Sequence, residues 1–248
     1  MSGRIVLLGT GTCEIEENRV ASSVLVEAGS SRLLFDIGRG VTLRLRQAGL
    51  RQDDLRHIVV SHYHPDHFSD LIPYLHAAAH APGDRRTEDL HIYGPEGLAV
   101  VLERLLSLTG LDSADSLIGF SVHAHRLEET REIDGLEVEP RDLPPAGNHG
   151  IRVGYEGDVV ALTGDSGFHD AEVEFVRGAR IAVIDSGHLT DEQIVCLAAR
   201  ARPEILICSH IYRQLDHSKL VDESRGGGFE GRIVIAEDQM EFPFGPSV

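Results

Sequence analysis

The 248-residue sequence predicts an α/β fold, a four-layer αββα sandwich formed by one domain over residues 1–248. Short apolar or alternating runs bounded by turn residues recur along the chain, as sheet strands do. Helical patterns separate many of them. The strands fall into two clusters, and two sheets with helices on the outside bury both clusters at once. An apolar fraction of 42% supplies the core without disulfides or structural metals.

Residues 5–8, 23–27 and 33–36 read as strands, the last two joined as a hairpin at Gly29-Ser30-Ser31. In 41–48, Val41, Leu43 and Leu45 alternate, while Val41, Leu45 and Ala48 share a helical face. Gly49 just beyond suits a helix end, so a helix is chosen. A strand at 57–61 precedes a helix at 71–80, which stops before Pro82. Next come a strand at 90–93 and a helix at 95–108, with Pro95 in a first helical position. From 118 to 163 several strands follow one another, broken at Asp134-Gly135, Pro144-Pro145 and Gly157-Asp158. The last third alternates again, with strand 180–184, helix 191–200, strand 204–208, a short helix near 216–223 and strands at 233–236 and 240–244. Thr190 and Gln193 form a capping box for the helix at 191–200.

Charge narrows the partners. Lys and Arg number 23 against 40 Asp and Glu, a formal charge of −17. Nucleic-acid binders neutralise phosphates with a basic surface, so no nucleic-acid partner is expected. Arg39, Arg44, Arg46, Arg51 and Arg56 form the one basic concentration, and scattered arginines of this kind usually solvate a helix. Cys13, Cys196 and Cys208 are too few and too scattered for a disulfide framework, which fits a reducing, cytoplasmic compartment. The apolar run at 5–8 is too brief for a signal peptide, and no stretch nears the roughly 18 residues of a membrane span. A small-molecule substrate and no membrane contact are expected, and homodimer formation is left open.

Fourteen histidines turn attention to where they sit. His62-Tyr63-His64-Pro65-Asp66-His67 follows directly on the strand Ile58-Val59-Val60-Ser61. Residues two apart on an extended chain face the same way, so His62 and His64 can ligate one ion together. Pro65 breaks the strand and carries Asp66 and His67 toward the next helix, where they can serve a second ion. Further donors stand at strand ends. His149 lies in a loop before a predicted strand, Asp165 follows the run 159–162, and His210 follows Ile205-Leu206-Ile207. Each alone reads as an ordinary turn or core residue, but together with the first cluster they read as ligands.

The pattern His62-x-His64-x-Asp66-His67, then His149, Asp165 and His210, resembles the metallo-β-lactamase superfamily of dinuclear metal hydrolases over essentially the whole chain. Leu8-Gly9-Thr10-Gly11-Thr12, Leu34-Phe35-Asp36-Ile37-Gly38 and Gly187-His188-Leu189-Thr190 are similar to its ribonuclease Z branch and the small-molecule phosphodiesterase relatives. The resemblance implies the metallo-β-lactamase fold and two divalent ions, zinc first, with manganese or iron as alternatives. It implies His62, His64 and His149 on one ion, Asp66, His67 and His210 on the other, and Asp165 bridging. The long basic arm that ribonuclease Z enzymes use for tRNA has no counterpart, and Glu128-Glu129 and Glu137-Val138-Glu139 make the corresponding region acidic.

The function expected is therefore two-metal hydrolysis of a small or cyclic phosphodiester. Asp66 ligates an ion and orients the nucleophile. His188, with Asp185 three residues before it, is the candidate to protonate the leaving oxygen. The alternatives are a lactone or thioester hydrolase on the same metals, a tRNA 3′-processing endonuclease, and a di-iron redox protein, for which 248 residues leave no room for an electron-donor domain. Other signals are set aside. Gly9-Thr10-Gly11 lacks the third glycine of a dinucleotide fingerprint, since Glu14 stands there. Ser166 and Ser186 lack a nucleophile elbow. His76 and His80 read as a solvated helix face, His123 and His125 as a solvent-facing strand, and Cys208 as buried core.

Overall fold

The computed structural model describes residues 3–113, 116–117 and 119–245. Its strands are β1 (Gly3–Gly9), β2 (Ser23–Ala28), β3 (Ser31–Phe35), β4 (His57–Val59), β5 (Leu90–Gly94), β6 (Val122–Arg126), β7 (Arg131–Ile133), β8 (Leu136–Leu143), β9 (Asn148–Tyr155), β10 (Asp158–Leu162), β11 (Ile181–Asp185), β12 (Ile205–Ser209), β13 (Arg232–Ile235) and β14 (Glu241–Phe244). Its helices are α1 (Val41–Gln47), α2 (Pro65–Phe68), α3 (Leu71–His80), α4 (Leu98–Thr109), α5 (Asp170–Val176), α6 (Asp191–Ala201) and α7 (His217–Gly226). Ile118, where the strand-rich stretch was expected to begin, lies outside the described residues.

Two seven-stranded sheets run in the orders β14-β1-β2-β3-β4-β5-β6 and β13-β12-β11-β10-β9-β8-β7. They repeat one pairing pattern. In the first, β14, β1, β2 and β3 pair antiparallel, and β3 to β6 pair parallel. In the second, β7 to β10 pair antiparallel, and β10 to β13 pair parallel. Strand alternation sorts the side chains into three apolar layers. Ile5, Leu7, Val160 and Leu162 pack between the sheets. Val6 and Leu8 meet helices α1, α3 and α4, and Ala161 and Leu206 meet α5, α6 and α7. This is the expected αββα sandwich.

In a parallel arrangement the strands deliver their C-terminal ends to one edge, where α/β proteins place their ligands. Asp36 follows β3, residues 61–67 follow β4, Asp165 follows β10, Asp185 ends β11 and His210 follows β12. β9 runs antiparallel to β10, with Ile151 opposite Leu162, so its first residues reach the same edge.

Four local expectations are corrected. Helix α4 starts at Leu98, because Gly97 occupies the cap at φ 90° and leaves Pro95 in the preceding turn. Pro65 does more than end a strand, since it opens the one-turn helix α2 that holds Asp66 and His67. His149 stands inside β9 rather than in a loop before it. Helix α5, capped by His169 accepting from the Glu172 N–H, had no counterpart among the expected elements. Among the described residues no helix is long and apolar enough to cross a membrane.

Candidate metal centre

The loop after β4 sets the first donors. Ser61 N and Oγ donate to the two carboxylate oxygens of Asp36, at 2.7 and 2.9 Å. That leaves the Ser61 oxygen to accept from His62 Nδ1, 3.0 Å away, so His62 turns Nε2 toward His64 Nδ1 at 2.9 Å. His67 donates Nδ1–H to Asp36 Oδ2 at 2.7 Å, which frees its Nε2. Asp36 thus orients Ser61 and His67 directly, and His62 through Ser61. Its φ of 64° and near-complete burial mark a position held by these bonds. Gly38 allows the arrangement, because a Cβ there would lie 1.8 Å from the Asp66 carbonyl oxygen.

The second sheet supplies the rest. Asp165 N donates to Asn148 Oδ1 at 3.0 Å, fixing the loop after β10. Asp165 Oδ1 lies 3.0 Å from His67 Nε2 and 3.5 Å from His210 Nε2, and Oδ2 lies 3.6 Å from His62 Nε2. Asp66 Oδ2 is 3.5 Å from His210 Nε2 and 3.9 Å from His67 Nε2. The donor atoms of His62, His64 and Asp165 lie within 4.8 Å of one another, as do those of Asp66, His67 and His210. Asp165 therefore faces both groups.

His67 Nε2, His210 Nε2 and Asp165 Oδ1 are buried, close together, and without a hydrogen bond. Buried polar atoms left this way are costly. A shared cation would satisfy them, and imidazole and carboxylate donors suit zinc, manganese or iron. In the ion-free chain the charges reflect the same crowding. Burial opposes a charge on His67, but Asp36 and Asp165 outweigh it and hold the ring protonated well above the ordinary histidine range. Burial likewise opposes His210, yet Asp185, Asp66 and Asp165 raise it to about 9. His62, buried beside His67, falls to about 4. Burial would raise Asp165, and the surrounding histidines hold it well below the usual carboxylate range.

His149 stands apart from these groups. Its backbone N donates to Ser61 O at 3.0 Å, which ties β9 to the motif loop. Its Nε2 lies 2.7 Å from Asp142 Oδ1, and its Nδ1 is buried without a partner. His188 is brought to the centre as the loop position implied. It donates Nδ1–H to Asp185 Oδ2 at 2.6 Å, and its ring stacks 5.5 Å from that of His210. Asp185 also accepts from the backbone of Gly187 and lies 3.3 Å from His210 Nδ1. The Asp185 side chain is fully buried while His188 is 49% exposed. Hydrogen bonding to Asp185 raises His188 above its ordinary pKa.

The organising role of Asp36 is what sequence reasoning missed, although Leu34-Phe35-Asp36-Ile37-Gly38 had been singled out. Ser166 does approach a histidine, His169, at 3.2 Å. His169 Nδ1 accepts from the Glu172 N–H, so Nε2 carries the proton and cannot act as a base toward that serine.

Comparison with known proteins agrees with this geometry. Residues 17–210 match the family model described as the metallo-beta-lactamase superfamily. A ribonuclease Z of Mycolicibacterium gilvum is 30% identical over 98% of this chain and 97% of its own. A ribonuclease Z of Mycobacterium marinum is 27% identical over 94% and 96%. Among solved structures, the metallo-beta-lactamase fold protein YhfI of Bacillus subtilis superposes with a TM-score of 0.78 at 19% identity, covering 98% of this chain and 100% of that one. A diphosphatase of the PhnP family gives 0.70 at 20% identity, covering 98% of each. With two matched sheets, histidine and aspartate donors gathered at one edge, and relatives aligned along nearly its whole length, the chain belongs to the metallo-β-lactamase superfamily of hydrolases, in its ribonuclease Z-like branch.

Proposed function

We propose that the protein is a phosphodiesterase that hydrolyses a small or cyclic phosphodiester with two divalent ions, zinc first. The observation that carries this reading is the pairing of exposed His188 with buried Asp185 beside His210. Poor alkoxide leaving groups need a proton, and His188 Nε2 is free to give one while Asp185 stabilises the charged ring. His62, His64 and His149 would hold one ion, His149 through its unpartnered Nδ1. Asp66, His67 and His210 would hold the other, with Asp165 shared. When bound, the ions lower the pKa of water and neutralise charge on the phosphoryl oxygens. Asp66 orients the attacking water, and Asp36 and Asp185 hold His67 and His210 in the productive ring orientation.

The adjoining cleft supports a small substrate. Its volume is about 810 Å³, and Tyr63, Glu96, Arg126, Glu128, Arg141 and Asp142 line it. Arg126 is engaged by Glu96 and Glu128, and Arg141 by Glu139. These carboxylates offset the charge of both arginines in the cleft, and the net charge of −17 opposes a long phosphate backbone. Three free cysteines suit a reducing, cytoplasmic setting. The second reading is tRNA 3′ processing, favoured by relatives named ribonuclease Z. A kinetic panel on the metal-loaded protein separates them, using a 2′,3′-cyclic nucleotide, a phosphomonoester, a lactone, a thioester and a precursor tRNA. Turnover fastest on the cyclic diester is expected. Faster turnover of the lactone, thioester or precursor tRNA overturns the proposal.

A further inference from the structure

Four histidines form a ladder away from the catalytic edge, on one face of β4, β5 and β6. His57 is opposite His91, and His91 is opposite His123, so three imidazoles cross three parallel strands on one rung. His125 sits on the next rung, opposite Tyr93. Val59 and Tyr93, two residues after His57 and His91, belong to the core between the sheets, so the ladder lies on that face. His123 and His125 thus lie on the inner face at its open edge, where His123 keeps 43% of its side chain exposed, as the solvent-facing strand was expected to do. The His91 ring stacks on His57, His123 and His125 with centroids 5.4, 4.9 and 5.2 Å apart. Asp134 holds His57 Nε2 at 3.0 Å and Asp89 holds His123 Nε2 at 2.9 Å.

We infer that the ladder is a binding site for one transition-metal ion, with His91 Nδ1 and His125 Nε2 as the paired ligands. These two nitrogens lie 3.0 Å apart, and only one of them can carry the proton between them. Metal–nitrogen bonds of about 2.0–2.1 Å place two ligands about 2.9–3.0 Å apart at a right angle, and about 3.3–3.4 Å apart at a tetrahedral angle. A right-angled pair of imidazoles suits copper or nickel, and copper stands highest in the order of divalent-ion affinities. Both rings are inclined to bind, because burial and neighbouring histidines lower their pKa and keep them neutral at pH 7. Stacking on both sides of His91 reduces the side-chain freedom lost on ligation. Water completes the shell.

The exposed pair His76 and His80 on α3, with ring centroids 4.9 Å apart, is the competing chelate and belongs in the test. Zinc-loaded protein is given one equivalent of Cu²⁺ at pH 7.5, and the paramagnetic resonance spectrum and retained zinc are measured. Two equatorial imidazole nitrogens with zinc undiminished are expected. His125→Gln and His91→Gln are each expected to weaken copper binding at least about tenfold while melting normally, and His76→Gln to leave it unchanged. Zinc released in proportion to copper, or copper binding that follows His76 instead, overturns the site. Where a ladder variant fails to fold, His76→Gln still separates the two chelates, and a spectrum with fewer than two nitrogens also overturns the site.

Discussion

At the residue scale, the chemistry of the site is divided between atoms that face the centre and carboxylates that turn them. His188 shares a third group of donors with Asp165, Asp185 and His210, but its Nδ1 is committed to Asp185, which leaves Nε2 for proton transfer. His188→Ala is expected to keep both ions and the fold while lowering kcat by about 10²–10⁴-fold on a diester with a poor leaving group. With a nitrophenyl leaving group the loss should shrink, and equal losses on the two substrates would remove His188 from proton transfer. Glu172 makes a separate prediction. It is fully buried on α5, its two carboxylate oxygens have no hydrogen bond, and burial with nearby Asp185 raises it to about 9. The folded chain then keeps a proton that the unfolded chain loses near pH 4.5. Stability should fall as pH rises from about 4.5 toward 9, at up to about 1.4 kcal/mol per unit, and level off above. Denaturant melts across that range test it. Glu172→Gln should flatten the slope, and an unchanged slope would assign the proton to another group.

At the element scale, what matters is how closely the turn after β3 lies on α2. Ile37 N donates to His67 O and Asp70 N to Ile37 O, so the two segments are laced by their backbones across the position of Gly38. A methyl group cannot enter 1.8 Å from a carbonyl oxygen, so Gly38→Ala must push the segments apart. The expected cost is about 1–3 kcal/mol or more, with loss of metal from the group of Asp66, His67 and His210. Calorimetry and elemental analysis measure both, and retention of two ions with an unchanged melt would contradict the model of a tightly seated α2. The one-turn helix was not legible beforehand because four residues carry no period. The same holds for α5, whose start depends on a histidine cap. By contrast α6, with its Thr190–Gln193 capping box, and the breaks between β7, β8, β9 and β10 were legible, since caps and turn residues act within a few positions.

At the scale of the whole molecule, two copies of one strand pattern face each other and pool their C-terminal edges. The first sheet contributes His62, His64, Asp66 and His67, and the second contributes Asp165, His188 and His210. Protein purified without chelator should therefore carry close to two divalent ions per chain, and a reproducible value of zero or one after supplementation would refute a dinuclear centre. The surface agrees with a small substrate, because Arg44, Arg46, Arg51 and Arg56 are each paired with a carboxylate and Arg39 donates to the backbone oxygens of Cys13 and Glu14. Filter binding should show no specific association with precursor tRNA at physiological salt. Tight, salt-sensitive binding followed by 3′ cleavage would restore the nuclease reading.

The sequence by itself determined the two-sheet class, the order of nearly all strands and helices, and the donor types, because periodicity, turn chemistry and a compact motif are local. It also marked His62, His64, Asp66 and His67 as candidate ligands, since they fall at one strand end. Which residues meet across the fold was decided only by tertiary structure. Asp36 reaches His67 from 31 positions away through the parallel pairing of β3 and β4. Asp142 meets His149 through the register of β8 and β9, and His57, His91 and His123 share a rung through that of β4, β5 and β6. Strand pairing sets these contacts, and a shift of one residue would turn each side chain to the opposite face.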